Sequence, residues 1–450
     1  MPISQTGASM EIEADEYLNE WQEVSLTSIA NIRFSSVNKV SQPGQEPVRL
    51  CNYTDVYNND YVTADMDFMR ATATKSEIER FGLQVGDVII TKDSETPDDI
   101  GIPTVVDTTA PDLVCGYHLA LLRPNQDEVD PTFLAKQLAH HRIARYFGQQ
   151  ANGTTRYGLS IAAIANAPLH LPRPENQRSA SALMRMVDAQ IAQIEAVIVK
   201  LKQVRAGMLR DLLSYGLDEH GQLRDPVAHP EQFKDTPLGQ IPMNWDVGPF
   251  SEIANVNPPT PATGQSPFNS ISFIPMQDVD EEGNWVYRQT RKLIDCSGGY
   301  TPFIEGDVLF AKITPCMENG KGCHAKDLVN GIGMGSTEFH VLRPKSNRSA
   351  RFVFHWSLTN SMRIRALAYM TGSAGQQRVE AGFFNYFLIP IPPTHEQGLI
   401  ANVIDCADRR IESSRNELKK LKKLKSGLQD DLLTGRVRIP ETLMEGAENA

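Results

Sequence analysis

Asn257-Pro-Pro-Thr260 is the segment that comes nearest to a catalytic motif. In an Asn-Pro-Pro-aromatic tetrapeptide, the Asn side chain and a Pro carbonyl hold an exocyclic amine while the ring stacks on a flipped base. Thr260 stands where the ring should be, and Pro261 follows it. Gly331-Ile-Gly-Met-Gly335 has the texture of a glycine-rich cofactor loop, which should follow a strand and open a helix. Instead it leads into the strand-like run ending at Arg343-Pro344, and it lies downstream of Asn257 with the wrong segment between. Cys316, Cys323 and His324 are close in sequence, but zinc needs about four ligands at fixed spacing and no second cluster follows. There is no Gly-x-x-x-x-Gly-Lys-Ser/Thr run for ATP, and Glu417-Leu-Lys419 fits a nuclease pattern only by falling in a helical repeat. The 10 histidines are scattered and propose no Ser–His–Asp site. The expectation is a chain with no catalytic residues, no metal and no cofactor of its own.

Side chains suited to gripping a polyanion are more orderly. Lys92 and Ser94 follow one Gly-Asp run; Lys312 and Thr314, with Lys321, follow a matching one. Thr154, Thr155 and Arg156 follow Gly153, and Gln376, Gln377 and Arg378 follow Gly375. Arg, Gln, Asn and Lys in such loops read base edges, while Lys, Arg and backbone amides hold phosphates. The bland reading of both loops is a turn before a strand. Arg142, Arg145, Arg363 and Arg365 fall on helical stretches, as phosphate clamps or as plain surface charge. Arg415 to Lys425 carries six Lys or Arg against Glu417, a solvated helix face or a contact to a DNA backbone.

The net charge of −11 bears on this only through its distribution. Glu11, Glu13, Asp15, Glu16, Glu20 and Glu23 stand in a stretch without Lys or Arg, and Glu441, Glu445 and Glu448 close the chain. With those ends set aside the body is close to neutral. Six cysteines without a Cys-x-x-Cys pair suit a reducing cytoplasm. The first residues lack a basic and then apolar pattern, so no secretory signal is expected. No run of 18 apolar residues suggests a membrane span.

What positions these loops is a repeat. Leu171-Pro172 through Leu212-Leu213 aligns without gaps on Ile391-Pro392 through Leu432-Leu433, an offset of 220 (Asp188 onto Asp408). Gln177/Gln397, Ile191/Ile411, Gly207/Gly427 and Asp211/Asp431 coincide. Upstream echoes keep the same order. Trp21 with Ile29-Ala-Asn31 recurs as Trp245 with Ile253-Ala-Asn255, and Gly86-Asp-Val as Gly306-Asp-Val. Leu122-Arg-Pro124 recurs as Leu342-Arg-Pro344, and Gly153-Thr-Thr-Arg156 as Gly375-Gln-Gln-Arg378. The order is head, helix, linker, head, helix.

The gapless segments carry heptad seams. Val187, Ile191, Ile194, Ile198, Leu201, Met208 and Leu212 follow a 4-3 spacing broken at Arg205; Ile404, Ala407, Ile411, Leu418, Leu421, Leu428 and Leu432 do much the same. Prolines precede each helix, and Gly216 and Gly435 follow, where a left-handed cap is needed. A helix of about 40 residues is ~60 Å long and needs a partner. Antiparallel pairing of the two within one chain is the simplest, with a head at either end of a rod; packing on its own head or between chains is the alternative. The heads read as α+β, from short β-rich runs at 86–91, 116–122, 306–310 and 337–342 and helical stretches at 131–147 and 350–369.

Taken together, these features resemble the specificity subunit of type I restriction–modification enzymes over nearly the whole chain. The runs that carry it are Gly86-Asp-Val-Ile-Ile-Thr-Lys-Asp-Ser94, Gly116-Tyr-His118 with Leu122-Arg-Pro124, and Gly153-Thr-Thr-Arg-Tyr-Gly-Leu-Ser160. Asp235-Thr-Pro-Leu-Gly-Gln-Ile-Pro242 with Trp245, Ile389-Pro-Ile-Pro-Pro393 with Glu396-Gln397, and Leu432-Leu-Thr-Gly-Arg436 complete them. The resemblance implies two target-recognition domains, each reading half of a split, asymmetric double-stranded DNA site, with half-site centres about one turn (~34 Å) apart. It implies two methyltransferase subunits that hold S-adenosylmethionine, and restriction subunits that use ATP and Mg. The docking helices would present Ile191, Ile194, Ile198, Leu201, Met208, Ile411, Leu418, Leu421 and Leu428.

The expected organisation is an acidic extension (1–20), a first recognition domain (21–170), a long central helix (171–217) and a loop linker (218–243). A second recognition domain (244–390), a long C-terminal helix (391–437) and an acidic tail (438–450) follow. Two other readings remain at this point: a coiled-coil scaffold whose paired heads bind proteins, and a standalone adenine-N6 methyltransferase.

Overall fold

A computed structural model describes residues 21–259, 266–296, 298–373 and 375–437. The acidic extension and tail, and Thr260 with Pro261, lie outside the described residues. The chain divides into two compact units: residues up to Glu195 with those from Glu417 onward, and Ala196–Asn416. Each is α+β and contains one head and a part of each long helix. No helix among the described residues is long and apolar enough to cross a membrane.

The long helices are α1 (Pro174–Tyr215) and α2 (Thr394–Thr434). Both stop where the sequence places a cap: Gly216 and Gly435 have φ of +63° and +71°, a conformation that costs glycine nothing. The heptad positions turn inward. Ile191, Ile198, Leu212, Ile404, Ile411 and Leu432 are buried, and Ile194, Leu201, Met208, Leu418, Leu421 and Leu428 are half-buried.

Pairing is antiparallel in each unit. In the first, Asp188 meets Lys425 and Glu195 meets Lys422, so one helix ascends as the other descends. In the second, Arg205 meets Asp408, and Leu209, Leu212 and Leu213 share a core with Ile400, Ala401 and Ile404. The glutamine shared by the two repeats has one job in both. The amide nitrogen of Gln177 donates to the Pro172 carbonyl (2.8 Å) and that of Gln397 to Pro392 (2.9 Å), tying the first helical turn to the strand before it.

In the first head, a five-stranded sheet runs Ala30–Phe34, Leu119–Pro124, Val88–Thr91, Pro103–Val106, Tyr61–Val62, antiparallel except for the last pair. Its inner strands are buried throughout and rich in Val, Ile and Leu, as a sheet covered on both faces requires. A second sheet, Met69–Ala73, Glu46–Cys51, Leu113–Cys115, packs with Leu50, Val56 and Phe81 against Ile89, Leu119 and Leu121 of the first. The second head repeats the plan with a sheet of Ala254–Val256, Phe339–Pro344, Val308–Ala311, Gly322–His324. Its extra lobe holds Gln289–Lys292, Ser270–Ile274, Ile332–Gly335, Thr301–Ile304. In both heads the entry strand pairs antiparallel with the strand that leads into the long helix: Gln22–Val24 with Leu169–Leu171, and Asp246–Pro249 with Leu388–Ile391.

Two expectations need refining. Each helical stretch is two helices, Pro131–Ala139 with His141–Gln150 and Ala350–Ser357 with Asn360–Leu367. His140 breaks the first with an extended ψ of 141°, and Thr359 restarts the second by capping the Met362 amide. The stretch 218–243, expected as a loop, contains a hairpin of Phe233–Thr236 with Gly239–Pro242.

Candidate nucleic-acid interface

The echoed Gly-Asp-Val and Leu-Arg-Pro runs turn out to be one device. Asp87 is buried and accepts two bonds of 2.8 Å from Arg123 on the neighbouring strand, while its Oδ2 also caps the Gln84 amide. Asp307 and Arg343 repeat the arrangement at 2.8 Å, with the cap on Ile304. A buried carboxylate must be paired and hydrogen-bonded to stay ionised. These motifs therefore fix strand register and hold no partner.

What they position is the exit of the strand that follows. In the first head, Tyr157–Gly158 pairs antiparallel with Asp93–Ser94, and the Leu159 amide donates to the Lys92 carbonyl (2.9 Å). That pairing holds Thr154, Thr155 and Arg156 as an exposed turn beside Lys92. The Lys92 ammonium lies 4.6 Å from the Tyr117 ring centroid, 5.1 Å from that of Phe34 and 3.8 Å from Asp93. Asp93 also meets His118 Nδ1 at 2.7 Å. Ser94 is a correction: it is buried, and its hydroxyl accepts from the Thr96 amide, because the pairing with Tyr157 turns it inward. Tyr117 and His118 were not assigned a role from sequence, although the run Gly116-Tyr-His118 was noticed.

The second head brings its two predicted segments together in the same way. The Thr314 amide donates to the Gln377 carbonyl (3.0 Å), the Gln377 amide to Thr314 Oγ1 (3.2 Å), and the Val379 amide to the Lys312 carbonyl (2.9 Å). Gln376 is exposed, and Gln377 and Arg378 are partly so. Arg378 is held by Glu338 through bonds of 2.9 and 2.8 Å. Glu338 was missed by the sequence reading. Nothing local marks it; the sheet register alone places it opposite Arg378.

The helix-borne arginines divide. Arg363 is a correction: it is 5% exposed and donates to the carbonyls of Ser357, Met317, Gly320 and Lys321, with its guanidinium 3.9 Å from the Phe310 ring centroid. Burial lowers its pKa to about 9, and no donor face is left for phosphate. Lys321 is half-buried and contributes its carbonyl to that knot. Arg365 and Arg145 are exposed. Arg142 is exposed at a small cavity with Trp21, His170 and Leu433, so it borders the helix junction.

The seam residues named for subunit docking are likewise corrected. They are buried or half-buried within their own units, where the helix pairing covers them, whereas Leu424 on α2 is 58% exposed.

The tentative chemistry is also accounted for. Asn257 donates to His340 Nδ1 (2.9 Å) and accepts from the Val341 amide (3.0 Å), while the Pro259 carbonyl accepts from Arg343. The Asn257 side chain is thereby committed to the strand that carries His340 and Val341. Ile332–Gly335 is a strand, not a loop opening a helix: a Cβ on Gly333 would come within 2.2 Å of the Phe303 ring. Cys323 is buried in a strand with its thiol pushed up to about 12 by burial. Elsewhere His355, Asp405 and Asp408 lie close together, but Arg351 and Arg205 hold the two carboxylates.

Parts of the chain match known proteins. Residues 242–423 match Methylase_S, the type I restriction modification DNA specificity domain. The type I restriction enzyme EcoEI specificity subunit of Escherichia coli is 32% identical over 268 residues, covering 56% of this chain and 40% of that protein. The EcoAI specificity subunit, also of Escherichia coli, is 35% identical over 184 residues, covering 40% and 31%. The matched part spans less than half the length of either relative. In fold, the chain is similar to a type I restriction–modification S subunit from M. genitalium, with a TM-score of 0.53, 12% identity, and coverage of 92% of this chain and 96% of that one.

Proposed function

We propose that the chain is a specificity subunit of the type I restriction–modification kind, the family matched over residues 242–423, and that it reads a split, asymmetric DNA sequence for partner subunits that do the chemistry. The observation that carries the reading is the convergence in each head. Lys92 lies with Thr154, Thr155 and Arg156; Lys312 and Thr314 lie with Gln376, Gln377 and Arg378, at matching places of the repeat.

Each cluster combines side chains that read base edges with a cation for phosphate. The heads differ in those residues, so the two half-sites differ. Two methyltransferase subunits bringing S-adenosylmethionine, and restriction subunits using ATP and Mg, dock on surfaces outside the closed seam. With Asn257 and the strand Ile332–Gly335 both in structural use, the described residues offer no support for a standalone methyltransferase.

The test is adenine methylation across the genome of a methylation-free host expressing this chain with its neighbouring methyltransferase subunit. A split motif that disappears when this chain is omitted supports the reading. Methylation indifferent to the omission overturns it.

A further inference from the structure

Each unit hooks a head loop onto the long helices by a carboxylate. In the second unit, Glu282 sits on the loop between Asp280 and Asn284, beside a cavity of about 860 Å³ whose walls include Trp285, Phe354, Arg205 and Arg409. Across that gap it accepts from Lys202 Nζ on α1 (2.9 Å) and from the Arg415 guanidinium on α2. In the first unit, Asp60 precedes the strand Tyr61–Val62 and accepts from Lys425 Nζ on α2 (2.8 Å) and from Lys136 Nζ of the head itself (2.9 Å). Burial works against both charges, yet the cations win. Asp60 is lowered to about 2, and Glu282 lies below the ordinary glutamate value.

The second head has its main anchor elsewhere. Trp245, Phe352, Phe384 and Ile391 pack in one core with Leu209, Leu212, Leu213, Ile400 and Ile404 of the helices. Arg351 and His355 of the head add a polar contact to Asp405 on α2, and a body held on that side, with an open gap on the other, can still rock about its anchor. A second contact across the gap removes that freedom. Glu282, Lys202 and Arg415 are all partly exposed, so the pin adds little to folding. It can still select one tilt. With DNA rising about 3.4 Å per base pair, a tilt that moves a reading loop by a few ångströms shifts it by one base pair.

We propose that Glu282 and Asp60 are positioning residues that set the tilt of each head on the helices and thereby the half-site spacing the protein accepts. This rests on the DNA-reading function proposed above. The test uses the full chain assembled with its methyltransferase partner. Targets carry both half-sites at the native spacing, or one base pair closer or farther. Glu282→Gln and Asp60→Asn are each expected to lower the ratio of native to shifted methylation at least threefold with methylation at the native spacing nearly kept, and Glu282→Gln also keeps Tm. Glu282→Asp, which retains the charge, should restore most of the ratio.

An unchanged ratio in both variants, or equal loss on native and shifted targets, overturns the proposal. Failure of the unmutated complex to select any split motif overturns instead the reading on which it rests.

Discussion

Asp188 and Lys425 lie 2.7 Å apart in the first unit, and the same pair recurs in the second as Asp408 and Arg205, also at 2.7 Å. Each residue is matched at the offset of 220 that relates the gapless repeats, acid to acid and base to base. The acid belongs to α1 in one unit and to α2 in the other. Arg205, which interrupts the heptad seam, is therefore one member of the duplicated cross-helix pair.

The two copies differ in burial, and that sets their energetic weight. Asp188 is 8% exposed and also meets Lys136 (2.8 Å) and the Tyr61 hydroxyl (2.9 Å), whereas Asp408 is 32% exposed. Breaking a buried pair strands a charge and costs about 3 kcal/mol, while a half-exposed pair is worth roughly 1 kcal/mol or less. Urea unfolding should show Asp188→Ala losing clearly more stability than Asp408→Ala; equal losses would mean that Asp188 is solvated in solution.

Arg378 should act on one half-site. Arg378→Ala is expected to cost about 1–3 kcal/mol of discrimination if it reads a base, measured by binding of the assembled complex to targets altered in either half. An equal loss with unrelated DNA would make it a phosphate contact. Glu338→Gln frees the guanidinium and should tighten binding to unrelated DNA, with a steeper salt dependence.

Arg363 should behave as a core residue. Its removal leaves carbonyls of Ser357, Met317, Gly320 and Lys321 without their donor. Arg363→Met is expected to destabilise the protein by about 3 kcal/mol, and Arg365→Met by under about 0.5 kcal/mol, in thermal or urea unfolding. A stable Arg363→Met protein with selectively weakened DNA binding would return Arg363 to the interface.

Acid should begin to destabilise the fold through buried histidines. Burial, and then neighbouring positive charge, lowers His324 to about 4, and the same order of causes lowers His140 to about 4. Both lie below the unfolded value of about 6.5. The unfolded chain therefore binds more protons between pH 6.5 and 4, and stability present at neutral pH is lost as pH falls through that window. His324 alone contributes up to about 1.4 kcal/mol per pH unit. Tm should drop from pH 7 to pH 5, and less so in His324→Asn; an equal drop would clear His324.

Much of the plan is local and so legible in the sequence. Heptad spacing fixes which face of α1 and α2 is apolar, Gly216 and Gly435 end them, and the Gly-Asp-Val echoes mark strands, because each depends on residues a few positions apart. The gapless repeat adds that two such helices share one chain.

What the sequence could not decide is where a polar side chain ends up once distant segments meet. Arg363 and Arg365 are two residues apart on one helix, yet one is walled in by carbonyls and the other faces solvent. Arg378 is joined to Glu338, and Asp87 to Arg123, only through sheet register. The sequence by itself determined the repeat, the two heptad-bearing helices and the loops that carry cations. Tertiary structure alone decided how the helices pair within each unit and which of those cations stay exposed, because burial and charge pairing depend on contacts across many tens of residues that no local pattern encodes.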